Sequence, residues 1–254
     1  MVDGFPEPLA PAKSLPPRGV NATPSGNLVT HLRYQVTIPT GESTSMSIEK
    51  ARIQASADVS AEASIGAGST IWHLAQIREH AVLGDNVIVG RGAYVGPGVR
   101  IGDNGKIQNF ALVYEPAVLA DGVFVGPAAV LTNDHRPRAI NPDGSQQTTD
   151  DWEPVGVTLQ QGCSIGANAT CIAPVVVGRW AMVAAGAVVT HDVPDHALVA
   201  GIPARQIGWV GRRGNALVAE SGRTWRDPLT GERYDEVDGA LVGPRSVLDN
   251  ERTP

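Results

Sequence analysis

From Ile53 to Leu131 an aliphatic residue stands at every sixth position without a miss, and after a gap the same spacing returns at Leu159, Ile165, Cys171, Val177, Val183 and Val189. Four residues beyond most of these comes a compact apolar residue, as at Ala75, Val87, Ala93, Ala111, Val123, Ala169 and Ala187. Gly often follows the aliphatic directly, at Gly66, Gly84, Gly90, Gly96, Gly102, Gly126, Gly166 and Gly178. The pattern fits neither the 3.6-residue period of an amphipathic helix nor the alternation of an ordinary hairpin strand. A six-residue repeat marks a parallel β-helix. Three hexads close one triangular coil, successive coils stack at about 4.8 Å, and the aliphatic ruler points inward. Gly after the aliphatic is expected where the chain bends sharply, because it has no Cβ to clash.

The composition agrees with short strands and tight turns: there are 29 glycines, and aromatic residues make up only 5% of the chain. A formal charge of −6 argues against general nucleic-acid binding, which needs a basic footprint. Any anionic ligand must then be met by local groups such as Arg91, Arg138 or Arg205. Two cysteines, Cys163 and Cys171, fall on compact and aliphatic ruler positions and are expected in the core, with no disulfide framework. A reducing, cytoplasmic setting is expected, without membrane or nucleic-acid partners.

Residues 1–48 are rich in proline (Pro6, Pro8, Pro11, Pro16, Pro17) and are read as a disordered N-terminal extension, with Met46 as a candidate translation start. Residues 49–203 are read as the β-helix, interrupted by a polar inserted loop at 132–158; insertions of this kind are usually functional or disordered. Residues 204–254 are expected to be irregular, with a short helix or small strands.

Local rules tend to fail at sites. The residue after the aliphatic, usually small, becomes Trp72, Arg78, Gln108 and Tyr114. Trp72 and Gln108 are two coils apart and share one edge of the prism; Arg78 and Tyr114 share the next. His73, Arg91 and Asn109 fall in one column, Glu79 and Glu115 in another, and the insertion leaves one coil beyond Tyr114. Asn109 reads either as a ligand-orienting residue or as a rung of an asparagine ladder. His135, in the insertion, has the side chain suited to proton transfer near neutral pH, or is a solvated loop histidine. His191 and His196 lack an aligned third ligand, so no metal site is expected.

On these residues the chain resembles the hexapeptide-repeat acyltransferases, and among them the sugar-nucleotide N-acetyltransferases that modify a 3-amino group. The matching stretches are IWHLAQI (71–77), KIQNFALVYEPAVLADGVFVGPAAVLTND (106–134), PRA (137–139), SIGANATCIAPVVVG (164–178) and AAGAVVTHDVPDHALVAGIPARQIGWV (184–210). The resemblance implies an all-β fold, a single left-handed parallel β-helix, although the general rule for parallel crossovers points to the opposite hand. It implies a homotrimer with active sites between subunits and acetyl-CoA as co-substrate. The sugar would lie near His73, Asn109, Tyr114, Glu115, Asn133 and Arg138, with Arg91, Lys106, Gln108 and Asp134 beside them. Acetyl-CoA would lie near Asn168, Ala185, Gly186 and Arg205. Asn109 and His135 are the catalytic candidates. Where relatives often carry a second Asn after KIQN, this chain has Phe110. Some relatives end in a cysteine-rich metal ribbon; residues 208–235 contain no cysteine and read as a ribbon-like remnant without metal. The rival readings are an O-acetyltransferase, which needs a true base, a carbonic-anhydrase-like metalloenzyme on the same solenoid, and a non-catalytic scaffold.

Overall fold

The computed structural model of the protein describes residues 50–245. The N-terminal extension and the candidate start at Met46 lie outside the described residues. The sixfold ruler becomes three stacks of two- to four-residue parallel strands, the faces of a prism. Face 1 starts with Arg52–Ile53, Thr70–Ile71, Ile88–Val89 and Lys106–Ile107 and continues to Ala197–Ala200. Face 2 runs from Asp58–Val59 through Tyr94–Val95 and Leu112–Val113 to Val188–Val189, and face 3 from Ser64–Ile65 to Val175–Val177. Register advances by eighteen residues per coil, so Arg52 pairs with Thr70 and Ile53 with Ile71. Among the described residues there is no helix.

The ruler residues form the core, with Ile71, Ile77, Val89, Ile107, Val125 and Ile165 fully buried and the compact residues Ala75, Ala93 and Ala111 buried beside them. Ile53, in the first coil, is 47% exposed because only one neighbouring coil covers it. Cys163 and Cys171 are free thiols in this core, and desolvation pushes both up to about 12.

The expected reason for the glycine after each aliphatic needs correction. These glycines are not at positive φ. A Cβ on Gly84 would stand 2.9 Å from the backbone nitrogen of Asp103, and one on Gly90 would stand 2.5 Å from that of Asn109. Stacked coils approach too closely there for a side chain. The left-handed residue lies two positions later, at Gly68, Leu74, His80, Asn86, Gly92, Gly98, Asn104 and Phe110. At Pro116 and Pro174 a cis peptide takes that place.

The inserted loop leaves after Val130–Leu131 and re-enters at Val157–Leu159, so Leu119 pairs with Leu159 instead of a residue eighteen on. The strand therefore claims Val157 and Thr158, which the sixfold pattern alone had left in the loop. Beyond the coils, the 204–245 segment is ordered rather than irregular: it forms small strands and no helix. Arg205–Trp209 pairs antiparallel with Ala197–Ala200, and Val218–Ser221, Thr224–Arg226, Arg233–Val237 and Ala240–Arg245 make an antiparallel meander. It is fastened to the last coil by buried His196, whose Nδ1 lies 2.9 Å from the Val210 carbonyl and whose ring meets Tyr234 at 5.1 Å. Trp209 and Trp225 add an edge-to-face contact at 6.5 Å.

Candidate active site

Each strand ends in a four-residue turn, so the prism has three corners, each a set of columns repeated coil by coil. At the corner between faces 1 and 2, register places His73, Arg91, Asn109, Pro127, Ala167 and Ala185 in one column. Leu74, Gly92, Phe110, Ala128, Asn168 and Gly186 form the next column. Six of the sequence-expected residues, His73, Arg91, Asn109, Asn168, Ala185 and Gly186, therefore share a single edge, with Gln108 beside them. Lys106 projects from face 1 into solvent.

Asn109 is a rung of a ladder: its Oδ1 accepts the Arg91 backbone N–H at 2.9 Å, one coil away. Its Nδ2 has no partner among the described residues. His73 Nδ1 lies 2.9 Å from Ser56 Oγ, and Arg52 stacks over the Trp72 ring at 5.0 Å. The Gly186 N–H is already committed to the Ala167 carbonyl at 2.8 Å, whereas the Ala185 N–H has no acceptor among the described residues. Of these two amides, only that of Ala185 is without an acceptor among the described residues.

The corner between faces 2 and 3 collects Arg78 and Glu79, then Tyr114 and Glu115, then Thr132, Asn133 and Asp134. Arg78 pairs with Glu79 at 2.7 Å and Asp58 at 3.4 Å. Tyr94 and Tyr114 lie 5.2 Å apart across stacked coils. Burial, then the Glu115 carboxylate, pushes the Tyr94 phenol up. Glu115 Oε2 is buried with no hydrogen-bond partner among the described residues. Thr132 Oγ1 accepts the Ala173 N–H at 3.0 Å and Asp134 Oδ1 accepts that of Arg136 at 2.7 Å, so both pin the start of the loop. His135 is exposed, its Nδ1 3.3 Å from the Ala173 carbonyl. Arg138 is exposed and, among the described residues, bonds only to the Pro137 carbonyl.

The expected sites thus occupy two corners flanking face 2, and the structure does not bring Asn109 and Tyr114 into contact. At the end of face 2 a groove of about 390 Å³ is lined by Thr190, His191, Asp192, Pro194, Arg205 and Gln206, which gives Arg205 a cavity of its own. His196 is committed to Val210, and no group of three or more His, Cys, Asp or Glu stands together for a metal among the described residues. The ladder at Asn109 was one of two sequence readings, whereas the aspartate ladder at the corner between faces 3 and 1 was not anticipated, although Asp85, Asp103 and Asp121 stand eighteen apart in the sequence.

Fold and repeat together define the class: the chain is a parallel β-helix built on a six-residue repeat, and parts of it are similar to known hexapeptide repeats. Residues 62–97 and 80–114 match the model described as bacterial transferase hexapeptide (six repeats), and residues 156–191 match the hexapeptide repeat of succinyl-transferase. Among curated proteins it is similar to the dTDP-3-amino-3,6-dideoxy-alpha-D-galactopyranose 3-N-acetyltransferase of Aneurinibacillus thermoaerophilus. That match is 52% identical over 52 residues, covering 20% of this chain and 27% of the relative. It is also similar to the serine acetyltransferase of Salmonella typhimurium, 37% identical over 90 residues, 35% of this chain and 32% of the relative. The chain thus matches about a third or less of the length of these relatives. A solved hexapeptide-repeat acetyltransferase from Vibrio cholerae is 25% identical and covers 48% of this chain and 69% of its own, with a TM-score of 0.36.

Proposed function

We propose that the protein is an acetyl-CoA-dependent N-acetyltransferase acting on the amino group of a nucleotide-linked 3-amino sugar. The observation that carries this reading is the corner between faces 1 and 2. There Asn109, with a free amide NH2, and Ala185, with a free backbone N–H, face solvent three coils apart, about 14 Å along one edge. The local similarity to a 3-amino-sugar N-acetyltransferase supports the choice of acceptor.

In this reaction the neutral sugar amine attacks the thioester carbonyl, the C–S bond breaks as the amide forms, and the amine's proton passes to the departing thiolate, which leaves as CoA thiol. Positioning contributes more than a strong base, because a deprotonated amine is already a good nucleophile. The small residues at Ala184, Ala185 and Gly186 leave room for the thioester, and the Ala185 N–H donates to the developing oxyanion. Asn109, its Oδ1 held by Arg91, acts as a donor through Nδ2 and not as a proton acceptor. Within one chain His135 lies at the other corner, its Nδ1 near the Ala173 carbonyl. In a homotrimer one copy's corner between faces 1 and 2 meets another's corner between faces 2 and 3, which adds Tyr114, Glu115, Asn133, Asp134, His135 and Arg138 to the same pocket. Acetyl-CoA runs from Ala185 toward Arg205, without a metal.

The test is a turnover screen of acetyl-CoA against dTDP- and UDP-linked amino sugars, with thiol release as readout. Release with a 3-amino sugar and none with the 3-hydroxy analogue is expected; release with the hydroxyl analogue alone would move the assignment to O-acetylation.

A further inference from the structure

The C-terminal meander meets the coils through a few aromatic contacts. Arg212 stacks on Trp180 at 5.7 Å, Trp209 meets Trp225 at 6.5 Å, and the His196 ring meets Tyr234 at 5.1 Å. The ion pairs lie elsewhere, Arg78 with Asp58 and Glu79 in the coils, Glu220 with Arg226 and Arg233 in the meander. Of the side chains in the joint, only the imidazole changes charge between about pH 5 and about pH 8.

His196 also holds the point where the chain enters the meander. Its side chain is 4% exposed, and its backbone N–H donates to the Arg179 carbonyl at 2.8 Å. Val210 is bound to it twice: the Val210 N–H donates to the His196 carbonyl at 2.8 Å, and the Val210 carbonyl accepts from Nδ1 at 2.9 Å. A carbonyl only accepts, so Nδ1 carries the hydrogen and the neutral ring already satisfies the contact. A second proton goes to Nε2, which has no hydrogen-bond partner among the described residues.

The coil does not demand this residue type. His196 stands at the left-handed position of the corner between faces 3 and 1, and the same column holds Asn86 and Asn104. An asparagine or glutamine can donate to a carbonyl without titrating, whereas histidine makes the contact answer to acid.

The charges around the ring are mixed. On its own segment Asp195 accepts the N–H of Arg179, which lies in the coil beneath, at 2.7 Å. From the meander come Arg212 and the Tyr234 hydroxyl, which donates to Glu232 at 3.2 Å, with buried Asp227 bonded to Asn215 at 3.0 Å behind them. Burial is the largest influence and holds the imidazole below its ordinary range. The Val210 carbonyl and Asp195 act against it, and Arg212 acts with it.

We propose that His196 is an acid-released latch on the meander. Neutral, it holds residues 210–245 against the last coil; protonated, it lets that sheet come away while the coils stay stacked. The surface uncovered includes Tyr234 and Leu241, both buried in the closed form, so acid turns a closed end into an apolar patch. The sign follows from linkage. The open form binds the proton more readily, so the latch is complete above about pH 6.5 and weakens as pH falls below it. The device is independent of the acetyl-transfer reading.

Hydrogen exchange of the full chain at about pH 7.5 and about pH 5.5, corrected for intrinsic rates, tests it. Amides of 210–245 are expected to lose about fivefold in protection at the lower pH, and those of 88–131 less than about twofold. His196→Gln is expected to abolish this loss. His191→Gln, which changes an exposed histidine in the groove, is expected to leave it intact. Should His196→Gln fail to fold, His196→Asn takes its place, because the readout is the ratio between the two pH values and not the level. Unchanged protection of the wild-type meander overturns the proposal, as does an equal loss in the coils. So does a loss that persists in the non-titrating variant, or one that disappears in His191→Gln.

Discussion

The corners on either side of face 1 are built alike and charged differently. Both have a close-approach glycine column, Gly84 with Gly102 on one side and Gly90 with Gly126 on the other, and both place an Asx rung under a backbone N–H. One corner stacks three aspartates at single-coil spacing; the other has one asparagine rung and no acid. Stacked carboxylates about 5 Å apart repel, so the aspartate ladder sacrifices some electrostatic stability for its hydrogen bonds. Hydrogen-bond geometry therefore belongs to the coil, whereas charge at that geometry is left for the surroundings to choose.

The most damaging change to either corner is a methyl at the close approach. Gly84→Ala and Gly90→Ala are each expected to destabilise the fold by about 3 kcal/mol, read by urea unfolding, since the obstructing atoms include backbone. A large loss at one corner and none at the other would break their structural equivalence.

Next comes the ladder itself. Asp103→Ala removes an accepted hydrogen bond and is expected to cost about 1 kcal/mol, whereas Asp103→Asn keeps the bond, relieves the repulsion and raises the Tm. A lower Tm for Asp103→Asn than for the wild type would mean that charge, not geometry, holds that corner.

The smallest effect concerns the join to the C-terminal meander, which lacks a ladder. Burial holds His196 below its ordinary range, despite the Val210 carbonyl and Asp195, with Arg212 acting in the same direction as burial. A neutral histidine favoured by folding gives stability that is full above the unfolded value near 6.5 and declines as pH falls toward the lowered folded value. Thermal melts from about pH 7.5 to about pH 5 are expected to show this decline in the wild type and less of it in His196→Gln, with the coil ladders unaffected.

The coils were legible in the sequence because every hexad repeats one physical requirement, an inward aliphatic at fixed spacing. Trp72, Gln108, Arg78 and Tyr114 were visible as exceptions for the same reason. The glycine column was visible but misread: a bend and a close approach call for the same residue, and only coordinates separate them. The ladder role of Asn109 was one of two readings that spacing left open, and the availability of the Ala185 amide over that of Gly186 had no sequence signal at all. Residues 204–245 carry no period, because an antiparallel meander pinned by scattered contacts such as His196 with Tyr234 has no repeating unit.

Periodicity alone was enough to set the solenoid, its eighteen-residue register and the columns into which side chains fall, though not its hand, since a local pattern stacked on itself buries its apolar residues by repeating one coil. Which atoms in those columns are spent on neighbouring coils, and which remain free, came from the folded arrangement. A hydrogen bond between residues one coil apart depends on coordinates and not on residue type.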